Sequence, residues 1–318
     1  MIIIITILLC ALMLILINQF KENFNSKTIL FLNKNDGCKV INTIYYKYNQ
    51  LDKSLRGIPN KQSINDFYCD HLLDFSSLDK KLLKWVIDGM REKIPPSFLF
   101  ILDNIKIAKF KNNVDNGFPH TNKDVIFFTD DFIYGILKYY NTNNIEDAIT
   151  DIGAVIIHEC VHIWQRKEPE KFNDLYKHYW HFEKVDIIHN KKYLDKMNRY
   201  NPDGVDTNWV FNHKKTHILF LSVYLEEAKT IGDVRCIGIY LDNLQNSYVV
   251  PDNAKQHNLV SIKEFNGFFK NLYGNHYHPN EISAELLSIY YLSLMKLSHE
   301  NYKSIGYNNM LVWLNKNK

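Results

Sequence analysis

The chain has 318 residues, of which 46% are hydrophobic, and its formal net charge is only +3. This length and apolar content are enough for a sizeable folded core, in one large domain or two modest ones. The near-neutral charge excludes the strongly basic surface that is typical of nucleic-acid-binding proteins, so we expect no nucleic-acid partner.

The N-terminal residues predict a membrane anchor. Residues 2–17 are almost entirely apolar, and a helix that extends to residue 20 is about 30 Å long, which matches the hydrocarbon core of a bilayer. No Lys or Arg precedes this run and no small-x-small cleavage site follows it, which favours an uncleaved anchor over a signal peptide. We therefore predict a transmembrane anchor at residues 1–20, a polar linker at 21–49 and a folded domain at 50–318.

The charges that follow the anchor predict its orientation. Lys21, Lys27 and Lys34 follow the apolar run, so the positive-inside rule places the bulk of this single-pass membrane protein on the cytoplasmic side. The absence of any Asn-x-Ser/Thr sequon agrees with this orientation. The five cysteines are scattered and include no C-x-x-C pair, so they predict neither a disulfide framework nor a cysteine zinc site.

The first half of the domain predicts helices followed by two strands. Residues 50–100 predict a small helical lobe, because apolar residues recur at helical spacing from Ser63 to about Met90. Ile105–Phe110 and Val125–Thr129 are rich in β-forming residues and predict strands. Asp130–Tyr140 predicts the start of another helix.

The segment Ile149–Lys167 predicts a buried helix that carries a metal site. It is largely apolar around an H-E-x-x-H sequence formed by His158, Glu159 and His162. Residues four apart share one helix face, so both imidazoles can bind one metal ion, while Glu159 lies about 100° round the helix and can hold a water molecule. The alternative is a pair of surface histidines beside a solvated glutamate, which the apolar flanks make less favourable.

The second half of the domain predicts a mixture of helices and strands. Glu168–Tyr200 is charged and aromatic and predicts a helix, and Asn201–Gly204 predicts a tight turn. Glu281–Lys296 predicts an amphipathic or buried helix with Asn280 as its N-cap. Strands are predicted at four β-rich segments, which are Trp209–Phe211, Ile218–Leu225, Val234–Leu241 and Tyr248–Val250.

A catalytic zinc site needs a third protein ligand besides the two histidines. The extended metzincin pattern is excluded, because Gln165 and Glu168 occupy the positions of its glycine and its third histidine. The remaining candidates are acidic or histidine side chains further along the chain, namely His178, His181, His189, the pair Glu226-Glu227, and the pair Glu281 and Glu285.

Glu281 is the best of these candidates. It lies four residues before Glu285 on an apolar helix, so two like charges share one face. Binding of Glu281 to the metal, with Glu285 accepting a hydrogen bond from a ligating imidazole, removes the repulsion. The alternative, an acidic N-terminus favoured by the helix dipole, explains Glu281 but explains Glu285 poorly.

The two motifs together resemble the gluzincin branch of the zincin metallopeptidases, and they are also similar to uncharacterised metallopeptidases, some from large DNA viruses. Gluzincins such as the thermolysin-like enzymes combine H-E-x-x-H with a downstream N-E-x-x-x-D on a second helix, and this chain has N-E-I-S-A-E. The resemblance implies that His158, His162 and Glu281 bind Zn²⁺, with Glu159 as general base and Glu285 in the place of the aspartate that orients the first histidine. It also implies an α+β, zincin-like fold with a mixed sheet and two ligand-bearing helices.

The implied activity is that of a zinc metallopeptidase acting on a peptide or protein substrate. Zinc would activate a water molecule, Glu159 would accept its proton, and an oxyanion donor would come from His276, Tyr277 or His278. The strand Val125–Thr129 would offer its edge to an extended peptide. The alternatives are a non-catalytic, membrane-anchored protein with a zincin-like fold, and a zinc hydrolase that acts on a non-peptide amide.

Overall fold

A computed structural model describes residues 28–203, 208–244, 247–270, 272, 277–297 and 302–317. The fold is α+β, as predicted, and two of its three described sheets are mixed. The anchor predicted at residues 1–20 and the first part of the predicted linker lie outside the described residues. Among the helices of the described ranges, none is both long and apolar enough to cross a membrane.

The first sheet contains five strands. Four of them lie side by side in the order Ile29–Phe31 (β1), Ile105–Phe110 (β3), Val125–Thr129 (β5) and His120–Asn122 (β4), while Leu72–Leu73 (β2) pairs with the end of β3. The strands β1, β3 and β5 are parallel to one another, and β4 is antiparallel to β5. The sheet is therefore mixed, with an antiparallel strand at one edge.

The two strands predicted in this sheet, β3 and β5, are confirmed at both ends. However, β5 pairs with β3 on one side and with β4 on the other, so the prediction that Val125–Thr129 has a free edge is wrong. All five residues of β5 are buried, as is typical of a central parallel strand. The edge strand is β4, which contacts the helix that carries the H-E-x-x-H sequence.

Residues 28–49 are folded, so the prediction of a linker is wrong over this range. The strand β1 pairs with β3, and helix α1 (Lys34–Ile41) follows with the side chain of Asn33 as its N-cap. A three-residue strand shows no periodicity, which is why it could not be found in the sequence.

A disulfide joins Cys38 in α1 to Cys69 in helix α3 (Ile64–Asp70). The cysteine spacing did not predict this pair. The two cysteines are 31 positions apart, and such a spacing has no local signature in a chain with an odd number of cysteines.

The region before the motif helix is mostly helical. Helices α2 (Gln50–Leu55), α3 and α4 (Ser77–Lys93) occupy the predicted helical lobe, but β2 divides the helix predicted from Ser63 to Met90 into two. Ser76 starts α4 with a capping box. A 3₁₀ turn (Pro96–Leu102) leads to β3, and the short helices α5 (Asp130–Tyr134) and α6 (Leu137–Asn141) follow β5.

The motif helix runs from α7 (Ile145–Ala148) through one π-turn (Ile149–Gly153) into α8 (Ala154–Lys167). The prediction of a helix over Ile149–Lys167 is confirmed, with the π-turn as its first turn. Helix α9 (Pro169–Asp174) and a second π-turn (Leu175–Tyr179) continue the helical path.

The helix predicted over Glu168–Tyr200 is interrupted after Tyr179, so that prediction is wrong for residues 180–191, and a short helix follows only at Lys192–Met197. Trp180 and Phe182 are buried in the core, and the chain continues in extended and turn conformations. The elements that follow are β6 (Phe182–Lys184), β7 (Ile188–His189) and α10 (Lys192–Met197).

The second sheet is antiparallel and includes three of the four strands predicted after residue 208. Its order is His257–Asn258 (β13), Val234–Tyr240 (β10), Thr216–Tyr224 (β9), Trp209–His213 (β8) and then β6. The fourth predicted strand is Ser247–Val249 (β12), which lies in a small third sheet between Asp242–Leu244 (β11) and β7. The four strands are confirmed with shifts of a few residues at their ends.

Three helices complete the described fold, namely α11 (Lys263–Phe268), α12 (Pro279–Leu294) and α13 (Ile305–Lys316). The predicted helix at Glu281–Lys296 is confirmed as α12, but its N-cap is His278 instead of Asn280, because His278 Nδ1 accepts a hydrogen bond of 3.1 Å from the main-chain N–H of Asn280. Helix α12 packs along α8, where Ser288 Oγ donates to the carbonyl oxygen of Ala154 at 3.1 Å. This helix pair forms the framework of the candidate site.

Candidate metal centre

Helix α8 presents His158 and His162 on one face. The Nε2 atoms of the two imidazoles are 3.1 Å apart, as their spacing of four residues on a helix predicts. His162 and Glu159 are buried, whereas the His158 side chain is 22% exposed. The helix has this orientation because Ile157 and Val161 are fully buried in the main hydrophobic core.

Helix α12 brings Glu281 to the same point from a distant part of the sequence. Its Oε1 lies 3.5 Å from Nε2 of His162, and its Oε2 lies 3.5 Å from Nε2 of His158. One ligand atom from each of the three residues lies within 4.8 Å of the other two. Ligands of a tetrahedral zinc ion with bonds of about 2.0–2.1 Å are about 3.3 Å apart, so the three side chains fit this ion.

Gln165 fixes the orientation of the second histidine. Its Oε1 lies 2.9 Å from Nδ1 of His162, and its Nε2 donates at 2.8 Å both to the carbonyl oxygen of Asn280 and to Oγ of Ser283. Because these two donations fix the amide, Oε1 accepts and the His162 Nδ1 must carry the proton. The lone pair of His162 Nε2 therefore points toward Glu281 and His158, as a metal ligand requires.

The charges at this point also fit a bound cation. Burial opposes the charge on Glu281, but the imidazoles of His162 and His158 hold the pKa of its carboxyl at about 2. Burial also opposes protonation of His158, yet the carboxylates of Glu281 and Glu285 raise its pKa well above the usual value. Burial lowers the pKa of His162. In the metal-free protein a proton on His158 balances Glu281, and a metal ion can replace that proton.

Glu285 lies one helical turn beyond Glu281. Its Oε2 is 3.8 Å from Nδ1 of His158, which is longer than a direct hydrogen bond. Glu285 therefore acts on His158 through its charge, by raising the pKa of the imidazole. Its role in orienting the first histidine stays a prediction.

Glu159 lines a cleft of about 450 Å³ beside the three candidate ligands. Its Oε2 is buried and has no hydrogen-bond partner among the described residues, which leaves it available to a bound molecule. The Asp203 carboxylate also lines the cleft and forms a second close cluster with Glu159 and His162. Burial and the negative charge of Asp203 raise the pKa of the Glu159 carboxyl well above its usual value.

Asp203 is held against the edge strand β4. Its Oδ1 accepts a hydrogen bond of 2.6 Å from the main-chain N–H of Thr121 and one of 2.8 Å from the Thr121 hydroxyl. Arg166 of α8 donates to the carbonyl oxygen of Asp203 at 3.2 Å and to that of Lys123 at 2.8 Å. The Asp203 carboxylate therefore binds the main-chain N–H of Thr121 on the side of β4 that faces away from β5.

One wall of the cleft is formed by Arg199, Asn201, Pro202 and Asp203. Asn201 Nδ2 donates to Oε1 of Glu281 at 2.8 Å. From the sequence alone, residues 201–204 predict only a tight turn, and none of these four residues is a predicted site residue. No local signal could have found them, because Asn201 meets its partner 80 positions further along the chain.

The two predicted oxyanion donors that the structure describes, Tyr277 and His278, are not brought into the cleft. His276 lies outside the described residues. His278 is buried and caps α12, and Tyr277 is buried beside Arg199, which interacts with its phenol. Neither Tyr277 nor His278 lines the cleft, whereas Arg199 does.

The other candidates for the third ligand lie elsewhere. His178, His181 and His189 are exposed, and so are Glu226 and Glu227. They form no cluster with His158 and His162 among the described residues.

Comparison with known proteins finds no match. No family model, no curated protein and no solved structure matches this chain. The function is therefore inferred from the geometry of the cleft and from the chemistry of its side chains.

Proposed function

We propose that the cleft is the active site of a zinc-dependent peptidase with a zincin-like fold. The observation that carries the proposal is the convergence of His158, His162 and Glu281 on one point, with Glu159 beside them in the cleft. Two imidazoles and one carboxylate, with one side open, are a common ligand set of catalytic zinc. The mixed first sheet, with its antiparallel edge strand β4 next to α8, supports the zincin-like part of the proposal.

Each side chain has a role that follows from its position. His158, His162 and Glu281 hold the ion, which when bound supplies Lewis-acid activation of water and of the substrate carbonyl. Glu159 accepts the proton of the attacking water at its free Oε2 and passes it to the leaving amine. Its raised pKa suits this exchange, because a carboxyl that titrates closer to neutral pH both accepts and donates readily.

The shape of the cleft favours a substrate with an apolar side chain. Phe118, Val155, Ile289 and Leu292 line the cleft together with the polar groups. A mostly apolar wall with a few oriented polar groups is typical of small-molecule and peptide sites. The edge strand β4 is the natural place for an extended peptide to pair once Asp203 leaves the Thr121 amide.

The direct test uses the purified full-length chain in detergent, with measurement of bound zinc and of peptide cleavage. We expect Glu159→Gln to retain zinc and to lose activity by about 10²- to 10⁴-fold, because it removes the proton acceptor. We expect Glu281→Ala to lose zinc, because only the two histidines remain. The matched control is Glu226→Gln at an exposed position outside this cleft, which should change neither quantity. A fully active Glu159→Gln enzyme would contradict the proposal.

A second candidate function is a non-catalytic zinc protein, and the position of Asp203 favours it. The Asp203 carboxylate clusters with His162 and Glu159, so a small shift could make it a fourth protein ligand and close the metal shell. X-ray absorption on the zinc-loaded protein separates the two functions. Three protein ligands and one water support the peptidase, and four protein ligands support the structural site.

A further inference from the structure

Among the residues that the structure describes, Arg199 is a buried cation without a carboxylate partner. Three Lys or Arg side chains are buried among the described residues, namely Arg56, Lys109 and Arg199 at 4%, 6% and 7% exposure. Arg56 pairs with Asp115, and Lys109 pairs with Asp79 at 2.7 Å. Arg199 forms no salt bridge with any residue that the structure describes, and its Nε has no hydrogen-bond partner there.

The position of Arg199 is fixed at the wall of the cleft. Its main-chain N–H donates to the carbonyl oxygen of Ser222 at 2.8 Å, next to a β-bridge between Asn198 and Val223. Its side chain lines the same cleft as Glu159 and Glu281. Arg199 is therefore part of the cleft wall, next to the buried phenol of Tyr277.

Three of the four acidic groups of the cleft already have other partners. Glu281 accepts a hydrogen bond from Asn201 and faces both histidines. Asp203 accepts two hydrogen bonds from Thr121, and Glu285 is directed to His158. None of these carboxylates lies within salt-bridge distance of Arg199, so its charge stays available to a ligand.

We propose that Arg199 binds a carboxylate of the substrate, so that the peptidase prefers peptides with a carboxylate next to the scissile bond. A buried cation without a counter-charge is strongly unfavourable, and a bound anion removes that penalty. The planar guanidinium matches a carboxylate through two parallel hydrogen bonds. The carboxylate comes either from an Asp or Glu side chain or from a free C-terminus. This inference rests on the proposed peptidase function and specifies its substrate class.

The test compares four matched peptides and three variants. The peptides carry either Glu or Gln beside the cleaved bond, and either a free or an amidated C-terminus. We expect the wild type to cleave one carboxylate-bearing peptide about 10- to 100-fold better in kcat/KM than its neutral match. The preferred peptide identifies the source of the carboxylate. Arg199→Ala should abolish the preference, and Arg199→Lys should retain part of it, because it keeps the charge but loses the planar fork.

The control is Arg235→Ala, since Arg235 is exposed and its Nη2 bonds to Gln256 at 2.9 Å away from this cleft. This variant should keep the full preference. Circular dichroism of each variant establishes that it is folded, and Arg199→Lys serves as the test if Arg199→Ala is not.

A second measurement does not depend on turnover. Fluorescence anisotropy of the labelled peptides on the Glu159→Gln protein should show tighter binding of the carboxylate-bearing peptide, and an additional Arg199→Ala change should remove the difference. Equal cleavage and equal binding of charged and neutral peptides would overturn the inference. An equal loss of kcat on all four peptides in Arg199→Ala would also overturn it, because it assigns Arg199 to the oxyanion instead. If the wild type cleaves no peptide, the peptidase proposal fails, and the anisotropy data alone decide whether Arg199 binds a carboxylate.

Discussion

Gln165 joins the two motif helices, since its amide Nε2 donates a hydrogen bond of 2.8 Å to the main-chain oxygen of Asn280. The same side chain accepts from His162, so one residue fixes both the imidazole and the start of the helix that carries Glu281. The distance between the proposed metal ligands therefore depends on a residue outside the proposed ligand set.

Replacement of Gln165 by Leu should weaken zinc binding by about 10- to 100-fold, because the hydrogen bond that orients His162 is lost. Competition with a chromogenic chelator measures this affinity. Ser283→Ala is the control, since it removes one bond to the Gln165 amide but leaves those to Asn280 and His162. An unchanged affinity in Gln165→Leu would show that packing alone orients the imidazole.

Zinc affinity should rise with pH over the range in which His158 loses its proton. The pKa of His158 is raised well above its usual value in the metal-free protein, because Glu281 and Glu285 outweigh burial. Zinc needs the neutral imidazole, so binding releases a proton and weakens as the pH falls below that raised pKa. Calorimetry in buffers of different ionisation enthalpy measures the number of protons released. The variant Glu285→Gln should lower the pKa of His158. The zinc affinity of this variant should therefore reach its plateau at a lower pH than that of the wild type.

The stability of the metal-free protein should change with pH in the opposite direction. A raised pKa in the folded state contributes stability that is fully present below the unfolded pKa of about 6.5 and is lost as the pH rises through the folded value. Thermal unfolding in the presence of a chelator should therefore show a lower Tm on the alkaline side of that window. The variant His158→Gln should not show this fall in Tm at alkaline pH. A wild type whose Tm has the same pH dependence as that variant would contradict the ion pair of His158 with Glu281.

Asp203→Asn should move the acid limb of the pH–activity profile to lower pH. The Asp203 charge helps to raise the pKa of Glu159, so its removal lets Glu159 ionise, and act as a base, in more acidic solution. Asparagine can still accept the two hydrogen bonds from Thr121, which keeps the wall of the cleft in place. Asp88→Asn, at an exposed position on α4, serves as the control. If the acid limb does not move, the charge of Asp203 does not affect the pKa of Glu159.

Removal of the Cys38–Cys69 disulfide should lower the free energy of unfolding by about 3–4 kcal/mol, from the loop entropy of a separation of 31 residues. Urea unfolding of the Cys38→Ala/Cys69→Ala variant measures the loss. Reductant should destabilise the wild type by a similar amount and leave the variant unchanged.

The same disulfide bears on the orientation that was predicted from the lysines. Stable disulfides are rare in the cytosol, so the bond favours an oxidising compartment over the cytoplasmic side predicted from the lysines. Alkylation of Cys38 and Cys69 in intact cells, before and after reduction, measures their state. Two free thiols would contradict the bond in the cell and restore the predicted orientation.

The ligand-bearing helices could be predicted because their information is local. His158 and His162, like Glu281 and Glu285, lie four positions apart in apolar segments, and that spacing alone places each pair on one helix face. The strands Ile105–Phe110 and Val125–Thr129 were equally clear from their composition.

The rest could not be predicted because its partners are distant in sequence. The sequence around Asn201 predicts only a turn, because the partner of its side chain, Glu281, is 80 positions away. The burial of Arg199 has no local signal either, because its main chain pairs with Ser222 in β9. The edge strand β4 has three residues, all polar, so it has no hydrophobic pattern. The position of a strand in a sheet is set by its pairing with distant strands. The sequence therefore could not show that β4, and not Val125–Thr129, lies at the edge.

The wall of the cleft depends on the N-terminal helix α2. Asp52 accepts a hydrogen bond of 3.2 Å from the main-chain N–H of Tyr200, and Arg56 donates at 2.8 Å to the Tyr200 carbonyl oxygen. These two residues hold the segment that presents Arg199 and Asn201. The site therefore depends on more of the fold than the two helices α8 and α12. Transplanting α8 and α12 into another scaffold would transfer the three proposed metal ligands but not Arg199 and Asn201, which belong to the cleft wall.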